Sequence, residues 1–264
     1  MMKKLIVILA AAAAVCACGP QLVIVHTNDT HSHLDPLRDG RGGIIERAAF
    51  VDSVRKADGA GKVLLLHAGD FNQGTSYYTQ LHGEIEVDMV NAMKYDAITL
   101  GNHEFDNGIE DLTARVRRIQ CPVVCANLDL SSFELGKYVK PYTILHRGGK
   151  KIGIIGLEAD LSTNVSKSIS SRIPQMDPVE SVNKWSDYLR KTEKCDMVIL
   201  LSHNGYEPED QQNAKGIRGV DLVIGGHSHT FVDDFVYVKD ANGKPVPIIT
   251  DGCWGLEMGV IKVY

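Results

Sequence analysis

"YDAITLGNHEFDNG", residues 95–108, decides how the rest of the chain is read. An apolar run from Ala97 to Leu100 ends on Gly101, and Asn102, His103, Glu104 and Asp106 follow at once. A short, continuous apolar run reads as a buried strand. This one stops on side chains suited to metal ions, protons or phosphate. A single such ending is compatible with a solvated loop, so the reading turns on whether other strands end alike.

Outward from this stretch, short β-branched runs alternate with helical ones. "LVIV" (22–25), "KVLLL" (62–66), "PVVCAN" (122–127), "YTILH" (142–146), "KKIGIIGLE" (150–158), "DMVILL" (196–201) and "DLVI" (221–224) read as strands. Residues 44–58, 84–94, 109–118 and 178–194 space their apolar positions as helical faces, the last with Asp177 as N-cap and Pro178 in its first turn. The alternation argues for α/β layers. "FVYVKDANGKPVPIIT" (235–250) reads as a hairpin with Asn242-Gly243 in a positive-φ turn, and "GVIKVY" closes the chain as a strand. Residues 158–177 are the most loop-like interior stretch. No internal repeat or long linker interrupts residues 19–264, which read as one domain.

The polar ending recurs. The first strand runs into "HTNDTHSH" with Asp29 and His31, and the second into "HAGD" with Asp70. The third gives Asn102, His103 and Asp106. "SHNG" supplies His203, and "GGHSH" supplies His227 and His229. In an open α/β sheet the carboxyl ends of the strands border the ligand crevice, so five parallel strands would bring these groups to one edge. Carboxylate, amide and imidazole donors together suit divalent Zn, Mn, Fe or Co. Asp70 has two oxygens and can bridge two ions, and two ions about 4 Å apart clamp a phosphoryl group and activate water. No GxxxxGK[ST] or HExxH occurs, which removes the P-loop and zincin readings. Each residue alone has a plainer role as cap, turn or core group, and His26, His33 and His67 are left there with a supporting role open. Glu104 reads as solvated or structural. The ordered set after five apolar runs is what caps and turns do not produce.

Composition bounds the rest. With 264 residues, 44% hydrophobic, the chain can bury a full core. Its formal charge is −5, and without Lys3 and Lys4 of the leader 26 basic face 33 acidic side chains, a balance of −7. That excludes a binder of nucleic-acid polymers, which would show a basic face. The start, "MMKKLIVILAAAAAVCACGPQ", places two lysines before an apolar stretch shorter than the about 20 residues of a membrane span. It reads as a signal peptide over 1–18. "VCAC" resembles a lipobox with Cys18 lipidated, which makes the protein an exported, periplasmic or outer-membrane-anchored lipoprotein; cleavage without lipidation is the alternative. Cys121 and Cys125 lie four strand steps apart, about 13 Å, and a disulfide needs Cα atoms within about 7 Å, so they are not expected to pair.

Taken together, "HTNDTHSH", "GD", "GNHEFDNG", "SHNG" and "GGHSH" resemble the calcineurin-like metallophosphoesterases, specifically the N-terminal domain of the bacterial 5′-nucleotidase and cyclic-nucleotide phosphodiesterase family, from about Leu22 to Tyr264. The resemblance implies a four-layered α/β/β/α sandwich with a dinuclear metal site. It implies one ion on Asp29, His31, Asp70 and His229, a second on Asp70, Asn102, His203 and His227, and His103 with Asp106 as the catalytic pair. Nucleotidases of this kind add a second domain that stacks the base between aromatics. The sequence stops where that domain would begin, and nothing in 19–264 is assigned to base recognition. The expected activity is hydrolysis of nucleotide phosphomonoesters, with a separately encoded C-terminal domain as candidate partner. Two rivals stay open: a phosphodiesterase or nucleotide-sugar pyrophosphatase using the same ions, and a tethered metal- or phosphate-binding subunit without turnover.

Overall fold

The computed structural model describes residues 19–264; the signal-peptide and lipobox readings, Cys18 included, lie outside them. The first sheet is laid down by β1 (Leu22–Thr27), β2 (Val63–His67), β3 (Ala97–Thr99), β4 (Val123–Val124) and β5 (Val139–Lys140), all parallel. The second holds β6 (Tyr142–Arg147), β7 (Lys150–Glu158), β8 (Met197–His203), β9 (Leu222–Gly225), β10 (Val236–Lys239) and β11 (Pro245–Ile249), in the order β10-β11-β9-β8-β7-β6. β12 (Gly259–Val263) then returns to the first sheet and pairs antiparallel with β1, Ile261 opposite Ile24. α1 (Ile44–Asp58), α2 (Ser76–Leu81), α3 (Glu84–Met93) and α4 (Ile109–Val116) fall between strands of the first sheet. α5 (Leu161–Asn164), α6 (Lys167–Ser170), α7 (Pro178–Lys191) and α8 (Gln211–Ala214) accompany the second.

Strand alternation sorts the core into three seams. Val23, Val25 and Leu65 face Val51 and Val54 of α1, Val87 of α3 and Leu112 of α4. Their neighbours Leu22, Ile24, Leu64 and Leu66 face the other way, against Ile152, Ile154, Ile199 and Leu201 of the second sheet. Ile155, Leu157, Val198 and Leu200 meet Val182 and Leu189 of α7 and Ala214 of α8. Helix, sheet, sheet, helix: this is the α/β/β/α sandwich the resemblance implied. Parallel strands buried on both faces explain why the runs are continuously apolar rather than alternating. Truncating a fully buried residue such as Ile24 costs about 2–5 kcal/mol.

Three details depart from the sequence reading. The five polar endings do not share one sheet edge; β1–β3 belong to one sheet and β8 and β9 to the other, and their carboxyl ends meet across the sandwich. In the β10–β11 hairpin only Gly243 takes positive φ, +79°. The loop spans 240–244 because the Asp240 carboxylate accepts from the N–H groups of Asn242 and Lys244, each at 2.8 Å. The 158–177 stretch contains two single-turn helices, α5 and α6, the first capped by Asp160 on the Ser162 N–H at 2.9 Å. The Cys121 and Cys125 expectation holds: both are free thiols, as are Cys195 and Cys253. Among the described residues no helix is long and apolar enough to cross a membrane.

Candidate metal centre

Five strand ends deliver the site. Asp29 and His31 follow β1, Asp70 follows β2, Asn102 follows β3, His203 is the last residue of β8, and His227 and His229 follow β9. The structure brings the imidazoles and carboxylates into two clusters whose ligand atoms lie within 4.8 Å of one another: Asp29, His31 and His229, and Asp70, His203 and His227. The clusters adjoin. His31 Nε2 lies 3.7 Å from Asp29 Oδ1 and 3.8 Å from Asp70 Oδ2, and His203 Nε2 lies 3.0 Å from Asp70 Oδ2 and 3.9 Å from Asp29 Oδ1. Each carboxylate therefore lies within 4 Å of an imidazole of either cluster.

The local backbone is bent to achieve this. Asp29, His31, Asp70, His227 and His229 all have φ between +45° and +70°. Non-glycine residues rarely take that region, and such strain gathers at functional sites. Gly101 supplies room instead: a Cβ there would overlap Asp70 Oδ1 and sit 2.8 Å from His203 Nε2. Asn102, the next residue, is itself buried. Its Oδ1 is buried with no hydrogen-bond partner.

The electrostatics call for cations. His31 Nε2 and His229 Nε2 are 2.9 Å apart, which requires a proton or another positive centre between two lone pairs. Burial lowers the pKa of His31 and of His227, leaving neutral imidazoles, the form that ligates. Burial opposes charge on Asp70 and His203 alike, yet their mutual attraction wins, pulling the Asp70 carboxyl down and the His203 imidazole well up. Hydrogen bonds with Asp29 and Cys253 push His229 up to about 10. A mixed set of carboxylate and imidazole donors with an orphaned amide oxygen fits divalent ions of the Zn, Mn, Fe or Co kind.

His103 stands beside this group with its ring centroid 5.3 Å from that of His31. Its Nδ1 is 2.9 Å from Asp106 Oδ2, and that hydrogen bond raises its pKa. Its backbone N–H donates to Asp70 Oδ1 at 2.9 Å, tying the pair to the second cluster.

Two residues hold the loops in place: Glu104, for which the sequence reading left a structural role open, and Asn28, which it did not single out. Glu104 is fully buried. Its Oε2 accepts from the N–H of Asp70 at 2.9 Å and of Gly101 at 2.6 Å, and its Oε1 from Phe71 at 3.1 Å and Asn72 at 3.2 Å. One carboxylate thus joins the loops after β2 and β3. Burial still raises its pKa to about 7. Asn28 does the same for Asp29, donating to its Oδ2 at 2.5 Å and to Gly252 O at 2.7 Å while accepting from the Asp251 N–H at 2.8 Å. The His227 N–H reaches Asp29 Oδ2 at 2.9 Å. No periodicity announces either residue, since an acid or amide in a loop reads as solvated. Of the histidines set aside, His67 supports the site through Thr30 Oγ1 at 3.2 Å, with burial lowering its pKa to about 3. His26 pairs with Asp251 at 2.5 Å beneath Asn28.

Known proteins share this layout. The profile of the calcineurin-like phosphoesterases matches residues 22–231. Snake venom 5′-nucleotidase of Naja atra is 32% identical over 270 residues, 92% of this chain and 50% of its own length. The solved 5′-nucleotidase precursor from Thermus thermophilus superposes with a TM-score of 0.81 at 34% identity, over 89% of this chain and 49% of that one. NAD nucleotidase from Haemophilus influenzae gives 0.79 at 31%, over 89% and 45%. The chain spans about half the length of these relatives. Sequence motifs, profile and fold converge: the chain belongs to the calcineurin-like phosphoesterase family.

Proposed function

We propose that this chain hydrolyses phosphoesters, nucleotide phosphomonoesters foremost, at a centre of two divalent ions. One ion is assigned to Asp29, His31, Asp70 and His229, the other to Asp70, Asn102, His203 and His227. The observation that carries the reading is the meeting of the two clusters beside the His103–Asp106 pair. When bound, the ions polarise the phosphoryl group and lower the pKa of a water to the neutral range.

The remaining work belongs to the chain's own side chains. Asp106 accepts from Nδ1–H of His103, fixing the ring and stabilising its charged form. His103 Nε2–H is then free to donate to a phosphoryl oxygen as negative charge builds, and to the departing ester oxygen. Asp70 orients His103 through its backbone N–H, so dyad and ion site move as one unit. Glu104 and Asn28 keep Asp70 and Asp29 from relaxing out of their left-handed conformations.

The solved NAD nucleotidase favours a second reading, cleavage of a pyrophosphate-linked nucleotide or of a phosphodiester on the same machinery. Residues 1–18 support export with a lipid tether at Cys18. The test is metal analysis of the purified protein with assays on AMP, p-nitrophenyl phosphate and its bis ester, before and after chelation. Two ions per chain and chelator-sensitive monoester turnover are expected. Turnover of the bis ester alone would favour the second reading, and bound metal without turnover would leave a binding subunit.

A further inference from the structure

Beside the metal centre lies an aromatic platform that the sequence reading did not anticipate. The indole of Trp254 stacks on the His33 imidazole with centroids 4.9 Å apart and planes at 21°. Trp254 keeps 39% of its surface exposed. Its backbone is in the left-handed region, φ +63°, a strained state for a bulky residue. The strain is held by hydrogen bonds to the site itself. The Trp254 N–H donates to Asp29 O at 2.6 Å, and His33 Nδ1 lies 2.8 Å from His31 O. Arg47 Nη2 fixes the far side of His33, donating to its carbonyl at 2.8 Å. The Trp254 backbone and the His33 ring are therefore bonded to the backbones of Asp29 and His31, whose side chains belong to the first cluster.

We propose that Trp254, backed by His33, is the surface on which the planar heterocycle of a nucleotide stacks while its phosphoryl group occupies the metal centre, making Trp254 a specificity-determining residue of this chain. The inference rests on the nucleotide reading above. Its physical basis is that base–aromatic stacking tolerates any base and demands only a pre-positioned flat face. His33 contributes by stacking on the indole and keeping it from turning away.

The experiment compares AMP with ribose 5-phosphate, the same ester without the base. In W254A the KM for AMP should rise about tenfold, the scale of one lost base stack, with kcat, metal content and all constants for ribose 5-phosphate unchanged; W254F should recover most of the loss. Trp185 and Trp254 are the two tryptophans. W185F therefore isolates the fluorescence of Trp254, which AMP should quench in the metal-loaded protein and ribose 5-phosphate should not. Equal losses on both substrates, or unchanged KM with no quenching, would overturn the assignment. If the wild type turns over neither ester, the phosphoesterase reading falls, and the quenching arm still decides the platform in either direction.

Discussion

Glu104→Gln tests the architecture most sharply. The substitution preserves shape and exchanges one acceptor oxygen for an amide NH2. Whichever oxygen is lost, two backbone N–H groups then face a donor: those of Asp70 and Gly101, or of Phe71 and Asn72. A buried N–H left unpaired costs about 1–3 kcal/mol, so the pair costs about 4 kcal/mol. At 2–4 °C per kcal/mol for a domain of this size, the midpoint of thermal unfolding should fall by about 10 °C. The loss is local in origin. Asp70 is held at φ +55° by this carboxylate, and a relaxed Asp70 withdraws from His203. Metal bound per chain should therefore drop, the second site first, and added divalent ion should restore stability less than in the wild type. Scanning calorimetry with metal analysis reads both effects. A variant within about 2 °C of the wild type and fully metal-loaded would refute the claim that Glu104 couples the two loops.

Three further outcomes follow from the same geometry. His103→Ala should keep its metal while kcat falls about 10²–10⁴-fold; unchanged turnover in a metal-replete variant removes the dyad from the mechanism. Gly101→Ala, at an unstrained φ of −123°, should fold yet lose metal, because its Cβ displaces Asp70 and His203; normal metal content would contradict the crowding. Asp210 is buried against the Ser202 hydroxyl, and burial raises its pKa from 3.8 to about 7. Its folded value exceeds the unfolded one, so the stability it contributes is complete below about pH 4 and lost as pH rises through about 7. Asp210→Asn should thus gain on the wild type between pH 5 and 8 in denaturant titrations, by up to about 4 kcal/mol, and a pH-independent difference would exclude the effect.

Much of this was legible before any coordinates. The apolar runs marked β1, β2, β3, β8 and β9, and the polar group after each named the seven candidate ligands and the His103–Asp106 pair, because strand ends dictate where loop side chains gather. What the sequence did not carry was which strands share a sheet. Val- and Ile-rich runs look the same in both, and only the inter-sheet seam of Leu22, Ile24, Leu64 and Leu66 against Ile152, Ile154, Ile199 and Leu201 separates them. Asn28 escaped, and Glu104 stayed undecided between solvated and structural, because their role lies in hydrogen bonds to the backbone of distant loops. Trp254 escaped for a related cause: its partner His33 is more than two hundred positions away, and neither belongs to a periodic pattern.

Four of the seven candidate ligands hang from the first sheet and three from the second. Any ion shared among them is a rivet through the sandwich, resisting the sliding of one layer over the other. The 3.0 Å between Asp70 and His203 is then a gauge of layer spacing. A methyl group added or removed deep in the seam, at Leu66 or Ile199, should register as a change in how tightly the rivet seats.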